Sequence, residues 1–258
     1  MGLRIVCFWI FLIPFSLWSS TGCRDFYVIS DFDDTIKTYT SKGAGQVLYH
    51  ALFKKEINAG FDLFIKELEK NGHDNCRDTF LNIVSASPWP LKYKISELLK
   101  LYSFPDFKLS LRPLTAQSKV FKKETLSHIL EKKPGPFILF GDDLHDDPEI
   151  YHELKEKYPE KILAIYIHNI NNRPPIKGQE TYFTTFDLAF KEYQQGRVSL
   201  RALKKIGQKI MFSSPWKVIP PYGYCPPLGK LKLENEEYLE LVPRVEARLS
   251  EICESREL

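Results

Sequence analysis

Three carboxylates crowd into the run Asp31-Phe32-Asp33-Asp34-Thr35, directly after the apolar stretch Phe26-Tyr27-Val28-Ile29 and Ser30. Like charges this close repel unless a cation sits among them, and hard cations such as Mg2+ prefer carboxylate and carbonyl oxygens. A second acidic group, Asp142, Asp143, Asp146 and Asp147, follows Phe137-Ile138-Leu139-Phe140-Gly141. Between the two groups lie Ser85, which ends Leu81-Asn82-Ile83-Val84, and a stretch holding Lys119, Lys122 and Lys123. Carboxylates supply nucleophiles, proton carriers and metal ligands, while hydroxyls and a lysine supply donors to an anion. Plainer readings exist for each. Acidic residues and serines commonly end strands, and a lysine on an amphipathic helix is usually solvated.

The elements that must carry these residues alternate. Short β-branched and aromatic runs at 26–29, 81–84, 107–111, 137–140 and 162–167 read as buried strands. Helical periodicity fills the gaps. Phe61, Phe64, Ile65 and Leu68 share one face, with Gly72 as a stop; Ile95, Leu98 and Leu99 face inward on 91–101; further helices cover 120–130 and 148–158, the latter with an early Pro148. Alternation of this kind predicts an α/β fold, a doubly wound, Rossmann-like parallel sheet with helices on both faces. Its acidic groups then sit at strand C-terminal tips, where such sheets bind ligands.

In order along the chain stand DxDxT at Asp31 to Thr35, a strand-terminal Ser85, a helical lysine and GDxxxxD from Gly141 to Asp147. This set resembles the haloacid dehalogenase superfamily. A narrower resemblance rests on Ser30-Asp31 through Lys37, on Ile83-Val84-Ser85-Ala86-Ser87-Pro88-Trp89-Pro90-Leu91, and on Gly141-Asp142 followed by Asp147-Pro148-Glu149-Ile150-Tyr151. It is similar to the catalytic domain of the actin-patch-type phosphatidate phosphatases, from about residue 26 to about residue 200. The chain departs from that family at Gly141-Asp142-Asp143-Leu144-His145, where the family usually reads GDSGE.

The resemblance implies Mg2+-dependent phosphomonoester hydrolysis, with phosphatidate giving diacylglycerol and phosphate. Asp31 is the expected nucleophile and Asp33 the acid and base. Asp31, the main-chain carbonyl of Asp33, Asp142 and Asp147 are the expected metal ligands, and Thr35, Ser85 and Lys122 the phosphate-binding groups. Lys119 and Lys123 compete with Lys122, and Asp146 competes with Asp147. Dehalogenases lack the second Asp of the first motif, since a leaving halide needs no proton; its presence here favours phosphoester chemistry. Two other readings stand: a phosphatase for a phosphoprotein or nucleic-acid end, and an idle, membrane-tethered metal-binding module.

Residues 36–80 and 86–121 leave no room for a large cap, so an open site that meets a headgroup at a membrane surface is expected. Trp89 reads as aromatic core. Past residue 207 the character changes. Pro215, Pro220, Pro221, Pro226 and Pro227 mark an irregular segment, and 231–252 reads as a terminal helix interrupted by Pro243.

Met1 to Arg4, the apolar run from Ile5 to Trp18 and the small residues Ser19 to Gly22 read as a secretory signal, too short for a comfortable span. The expected organisation is thus a signal peptide over 1–22, a catalytic domain over 23–206 and a Pro-rich segment with a C-terminal helix over 207–258. An exported, periplasmic or cell-envelope protein is expected. Cys23 offers a lipid attachment point, although Ser20 stands where a lipobox usually has Leu. The other cysteines outside the leader, Cys76, Cys225 and Cys253, have no metal-ligand spacing; buried thiols are expected, with one disulfide left open. A net charge of +3 argues against a general nucleic-acid binder.

Overall fold

The computed structural model describes residues 26–38, 55–71, 80–229 and 240–256. The leader, Cys23, Cys76 and Gly72 lie outside the described residues, as does the first part of the expected 231–252 helix.

Six parallel strands form one sheet: β1 (Tyr27–Ser30), β2 (Leu81–Pro88), β3 (Phe107–Arg112), β4 (Phe137–Asp142), β5 (Ile162–His168) and β6 (Glu180–Tyr182). Their spatial order is β3-β2-β1-β4-β5-β6. The order reverses between β1 and β4, and doubly wound sheets open a ligand crevice at that point, outside the strands' carboxyl ends. Ser30 pairs with Ile83 on one side and Phe140 on the other, so β1 ends first and the tips of β4, at Asp142, and β2, at Pro88, extend beyond it on either side.

Because side chains alternate across a strand, a sheet covered on both faces needs apolar residues at nearly every position. Val28, Ile83, Ile138 and Phe140 enter one core with α1 (Phe61–Asn71) and α2 (Lys92–Leu101), while Tyr27, Ile29, Val84 and Leu139 enter the other. The second core is closed by α3 (Ser118–Lys132) through Leu126, Ile129 and Leu130, and by α4 (Asp147–Lys157) through Ile150, Tyr151 and Leu154. Phe61 and Phe64 of α1 both meet Phe140 edge to face, at centroid separations of 6.2 and 5.6 Å. Burial of each such ring stabilises the fold by about 2 kcal/mol.

Beyond β5 the first core continues through β6, α5 (Thr185–Gln194) and α6 (Leu200–Phe212). Next come α7 (Pro215–Val218) and α8 (Leu241–Glu254). α6 runs across residue 206, where the sequence suggests a change of character, and α8 packs on it. Pro243 does not interrupt the terminal helix. It stands in the first turn of α8, where backbone N–H groups have no intrahelical acceptor and a missing one costs nothing.

Between β1 and β2, and again between β2 and β3, the described residues contribute only α1 and a single 3-10 turn (Trp89–Leu91) leading into α2. Cys225 and Cys253 form a disulfide, with Cα atoms 6.0 Å apart, tying the Pro-rich segment to α8. The expectation of buried thiols is corrected for this pair. Trp89 is also corrected. It is exposed, because the 3-10 turn carries it off the end of β2 instead of into a core.

Candidate active site

The chain leaves β1 at Ser30, and Asp31 emerges at the switch point, its N–H donating to the Phe140 carbonyl of β4 at 2.8 Å. Asp142 ends β4, and Asp147 opens α4. Carboxylate oxygens of Asp31, Asp142 and Asp147 lie within 4.8 Å of one another, and all three residues are buried. Gly141 is required by this convergence. A Cβ there would meet Asp147 Oδ2 at 2.5 Å and the Tyr151 ring at 2.8 Å.

Lys122, in the first turns of α3, is buried against the cluster. Its Nζ lies 2.9 Å from Asp31 Oδ1 and also pairs with Asp147 Oδ1. Lys119 and Lys123 point outward to Asp146 and Glu153. The structure thus brings Lys122 and Asp147 together, and leaves Lys119, Lys123 and Asp146 at the surface. Burial works against the Lys122 charge, yet Asp147, Asp31 and Asp142 outweigh it and hold the ammonium above its ordinary range. Burial pushes the Asp31 and Asp147 carboxyls up, with Lys122 pulling the other way. Asp142 is also opposed by burial, but its contact with His145 at 3.3 Å and the Leu144 N–H at 2.8 Å keep it low.

This set fits a hard divalent cation. Three buried carboxylates face one ammonium, and Asp142 Oδ2 is buried with no hydrogen-bond partner, a costly arrangement unless a cation takes the oxygen. The side chain of Asp33 is not in this cluster.

Asp33 instead faces the end of β2. Ser85 Oγ and Ser87 Oγ both donate to its Oδ2, at 2.9 and 2.7 Å, and the Ser87 N–H donates to Ser85 Oγ at 2.9 Å. Ser85, expected on the phosphate, therefore spends its one proton on Asp33. Thr35 is fully buried, and its Oγ1 has no hydrogen-bond partner among the described residues. Asn58 Nδ2 donates to the Thr35 carbonyl at 2.8 Å and fixes the loop.

Asp34 has φ +56°, a left-handed conformation that Asp tolerates better than most residues. Its carbonyl lies 2.6 Å from His168 Nδ1, and its carboxylate accepts from the Tyr222 hydroxyl. Burial raises the Asp34 carboxyl to about 7. Lys37, which follows on the same loop, is buried as well, and desolvation lowers it to about 8.

Asp143 has a different task. Its carboxylate accepts the N–H groups of Ile170, Asn171 and Arg173 at 2.8 to 3.1 Å, shaping the loop after β5. Arg173 reaches back to the carbonyls of Asp143 and His145. Ser87, Asn58, His168 and Tyr222 escape sequence reasoning, because only the fold brings them to the first motif. Ser87 alone carried a signal, its alternation with Ser85 at the end of β2.

Fold and site together define a doubly wound α/β protein with a carboxylate and lysine cluster at its switch point. The family profile described as phosphatidate phosphatase APP1, catalytic domain, matches residues 26–169. That is more than half of the chain, and the chain belongs to this family. No curated protein matches the chain. Among solved structures, a 2-keto-3-deoxygluconate aldolase variant from Sulfolobus solfataricus, in a pyruvate complex, is 12% identical over 90% of this chain and 99% of that one, with a TM-score of 0.24. A likeness that slight carries no argument.

Proposed function

We propose that the chain is a phosphatase that hydrolyses phosphatidate to diacylglycerol and phosphate through an aspartyl-phosphate on Asp31. The observation that carries the reading is the buried convergence of Asp31, Asp142, Asp147 and Lys122 at the switch point, within the matched range of the family.

An Asp31 oxygen attacks phosphorus in line, the ester P–O bond breaks, and Asp33 gives its proton to the departing oxygen. Asp33 then takes a proton from water, which attacks phosphorus and breaks the acyl-phosphate P–O bond, returning Asp31 and releasing phosphate. Ser85 and Ser87 hold the Asp33 carboxylate for both transfers. Thr35 and Lys122 donate to the phosphoryl oxygens. Mg2+, held by Asp31, Asp142 and the Asp33 carbonyl with support from Asp147, would supply charge neutralisation at the transferring group.

Export through the 1–22 signal peptide, with a lipid on Cys23 as an anchor, completes the proposal. The leader pattern supports it, and so does the Cys225–Cys253 disulfide, a bond that persists in oxidising compartments.

The purified protein is expected to release phosphate from phosphatidate vesicles and from a generic aryl phosphate, and to lose that activity with chelator. Asp31→Asn and Asp33→Asn are each expected to lower turnover at least about a thousandfold. Only Asp31→Asn should also prevent trapping of the aspartyl-phosphate or its fluoride mimic. Full activity in Asp31→Asn would refute the mechanism; turnover of aryl phosphate without phosphatidate would retain the phosphatase and move the substrate to a soluble ester.

A further inference from the structure

Single exposed apolar residues are ordinary, whereas their clustering marks an interaction site. Nine large hydrophobic side chains are exposed among the described residues, and four of them, Trp89, Tyr93, Leu114 and Val120, belong to two short segments. Both segments leave the C-terminal ends of neighbouring strands. Pro88, the last residue of β2, pairs with Arg112, the last of β3. Arg112 then ties the two exits together, Nε donating to the Ala86 carbonyl and Nη1 to the Ala116 carbonyl, each at 2.9 Å. Trp89 and Tyr93 therefore stand on one exit, and Leu114 and Val120 on the next.

Exposure is high where it matters: 57% for Trp89, 75% for Tyr93, 63% for Leu114 and 47% for Val120. Charge on the same two segments is basic on balance. Residues 86–97 and 112–124 carry Lys92, Lys94, Arg112, Lys119, Lys122 and Lys123 against Glu97 and Glu124. Arg112 and Lys122 are engaged inside the fold; Lys94, Lys119 and Lys123 are exposed and pair with Glu97, Asp146 and Glu153 at the surface, and Lys92 is exposed beside Tyr93. An aromatic and aliphatic cluster ringed by lysines fits the headgroup region of an anionic bilayer, where Trp and Tyr settle and basic side chains meet phosphate. Position completes the argument. Trp89 is two residues from Ser87, whose hydroxyl holds Asp33, so a bilayer met by this surface lies at the rim of the site.

We propose that Trp89, Tyr93, Leu114 and Val120, with the surrounding lysines, form the surface by which the chain docks on an anionic lipid bilayer, bringing the Asp31 site to the membrane. This rests on the phosphatidate reading, but docking is measured without turnover. The test is hydrogen exchange by mass spectrometry on the full chain, free and bound to phosphatidylcholine vesicles containing phosphatidylserine, a lipid with no phosphomonoester. Exposed amides in 88–94 and 113–120 are expected to slow about fivefold on the vesicles, with no change around Leu163, an exposed leucine at the other end of the sheet. Protection confined to the leader, or equal around Leu163, overturns the proposal.

A second arm uses the double variant Tyr93→Ala with Leu114→Ala. The ratio of phosphatidate-vesicle turnover to aryl-phosphate turnover should fall about tenfold, and Lys92→Glu with Lys94→Glu should lower the same ratio more with phosphatidylserine-rich vesicles than with phosphatidylcholine vesicles holding the same small share of phosphatidate. An unchanged ratio in both variants also overturns it. Protection at 88–94 and 113–120 without any phosphatidate hydrolysis would retain the docking surface and refute the substrate.

Discussion

Asp34 is the residue on which the geometry of the first motif turns. Its left-handed backbone lets Asp33 face the end of β2 while Thr35 is buried, and two long-range contacts hold it, His168 at its carbonyl and Tyr222 at its carboxylate. Tyr222 lies outside the matched family range, in the Pro-rich segment. Loss of its hydroxyl leaves a buried acidic side chain without that partner, and a small displacement of the loop is amplified at the reacting atoms. Tyr222→Phe is therefore expected to lower kcat about tenfold with KM changed less than about twofold, as measured with an aryl phosphate. In an Asp34→Gly background, where Gly accepts the positive φ and the carboxylate is gone, Tyr222→Phe should add nothing; additive losses would show that Tyr222 acts elsewhere. None of this is visible in the spacing of the motif. Spacing displays the acids of 31–34 and 142–147, but it cannot tell Lys119, Lys122 and Lys123 apart or reveal which hydroxyl meets which acid, because those pairings are set by helix phase and strand register.

At the scale of elements, strong periodicity made the core legible. The runs that bury both faces of β1, β2, β4 and β5 are nearly continuous in the sequence, and α1 and α2 carry clear inner faces, whereas the inner face of α3 includes Lys122 and shows little period. Past β5 the strand signal weakens, although α6 and α8 keep clear apolar faces. β6 has three residues, too few for a period to show, and its pairing with β5 is what makes it a strand. α5 had a local start signal that reasoning from apolar period passes over: Thr184 and Asp187 form a reciprocal capping box. α5 is fastened by a buried contact of its own. Glu192 is fully buried, takes Arg197 Nε and Nη2 at 2.6 and 2.8 Å, and accepts from the Tyr166 hydroxyl of β5. Removing the cation would strand a carboxylate in the core, so Arg197→Ala is expected to cost about 3 kcal/mol in urea unfolding. Arg197→Lys should recover only part of that loss, since an ammonium cannot reproduce the bidentate fork. A cost below about 0.5 kcal/mol for Arg197→Ala would place the pair among surface ion pairs of little consequence.

Across the whole molecule, the C-terminal part is a wall of the site. The segment from Ile219 to Cys225 passes Tyr222 to Asp34, bonds the Tyr224 N–H to the Ile170 carbonyl at 2.8 Å, and is gripped by Arg256 at the carbonyls of Ile219 and Gly223. The Cys225–Cys253 disulfide locks this segment to α8, which itself packs on α6. Sequence alone could count these cysteines but not pair them, because pairing depends on where the chain returns. A sequence separation of 28 sets the entropic part of the bond's contribution at about 3.5 kcal/mol, since opening it frees the unfolded chain. Treatment with a dithiol, which transfers two electrons and two protons to the bond and becomes a disulfide itself, is expected to lower unfolding stability by about 2 to 4 kcal/mol. The double variant Cys225→Ser with Cys253→Ser should match the reduced protein and no longer respond to the reductant. Below the unfolding transition, the reduced protein should show faster hydrogen exchange in 219–225 and a fall in kcat in the same direction as Tyr222→Phe, because both changes loosen the hold on Asp34. A reduced protein with full kcat and unaltered exchange would show that Arg256 and the Tyr224 contact hold the segment unaided.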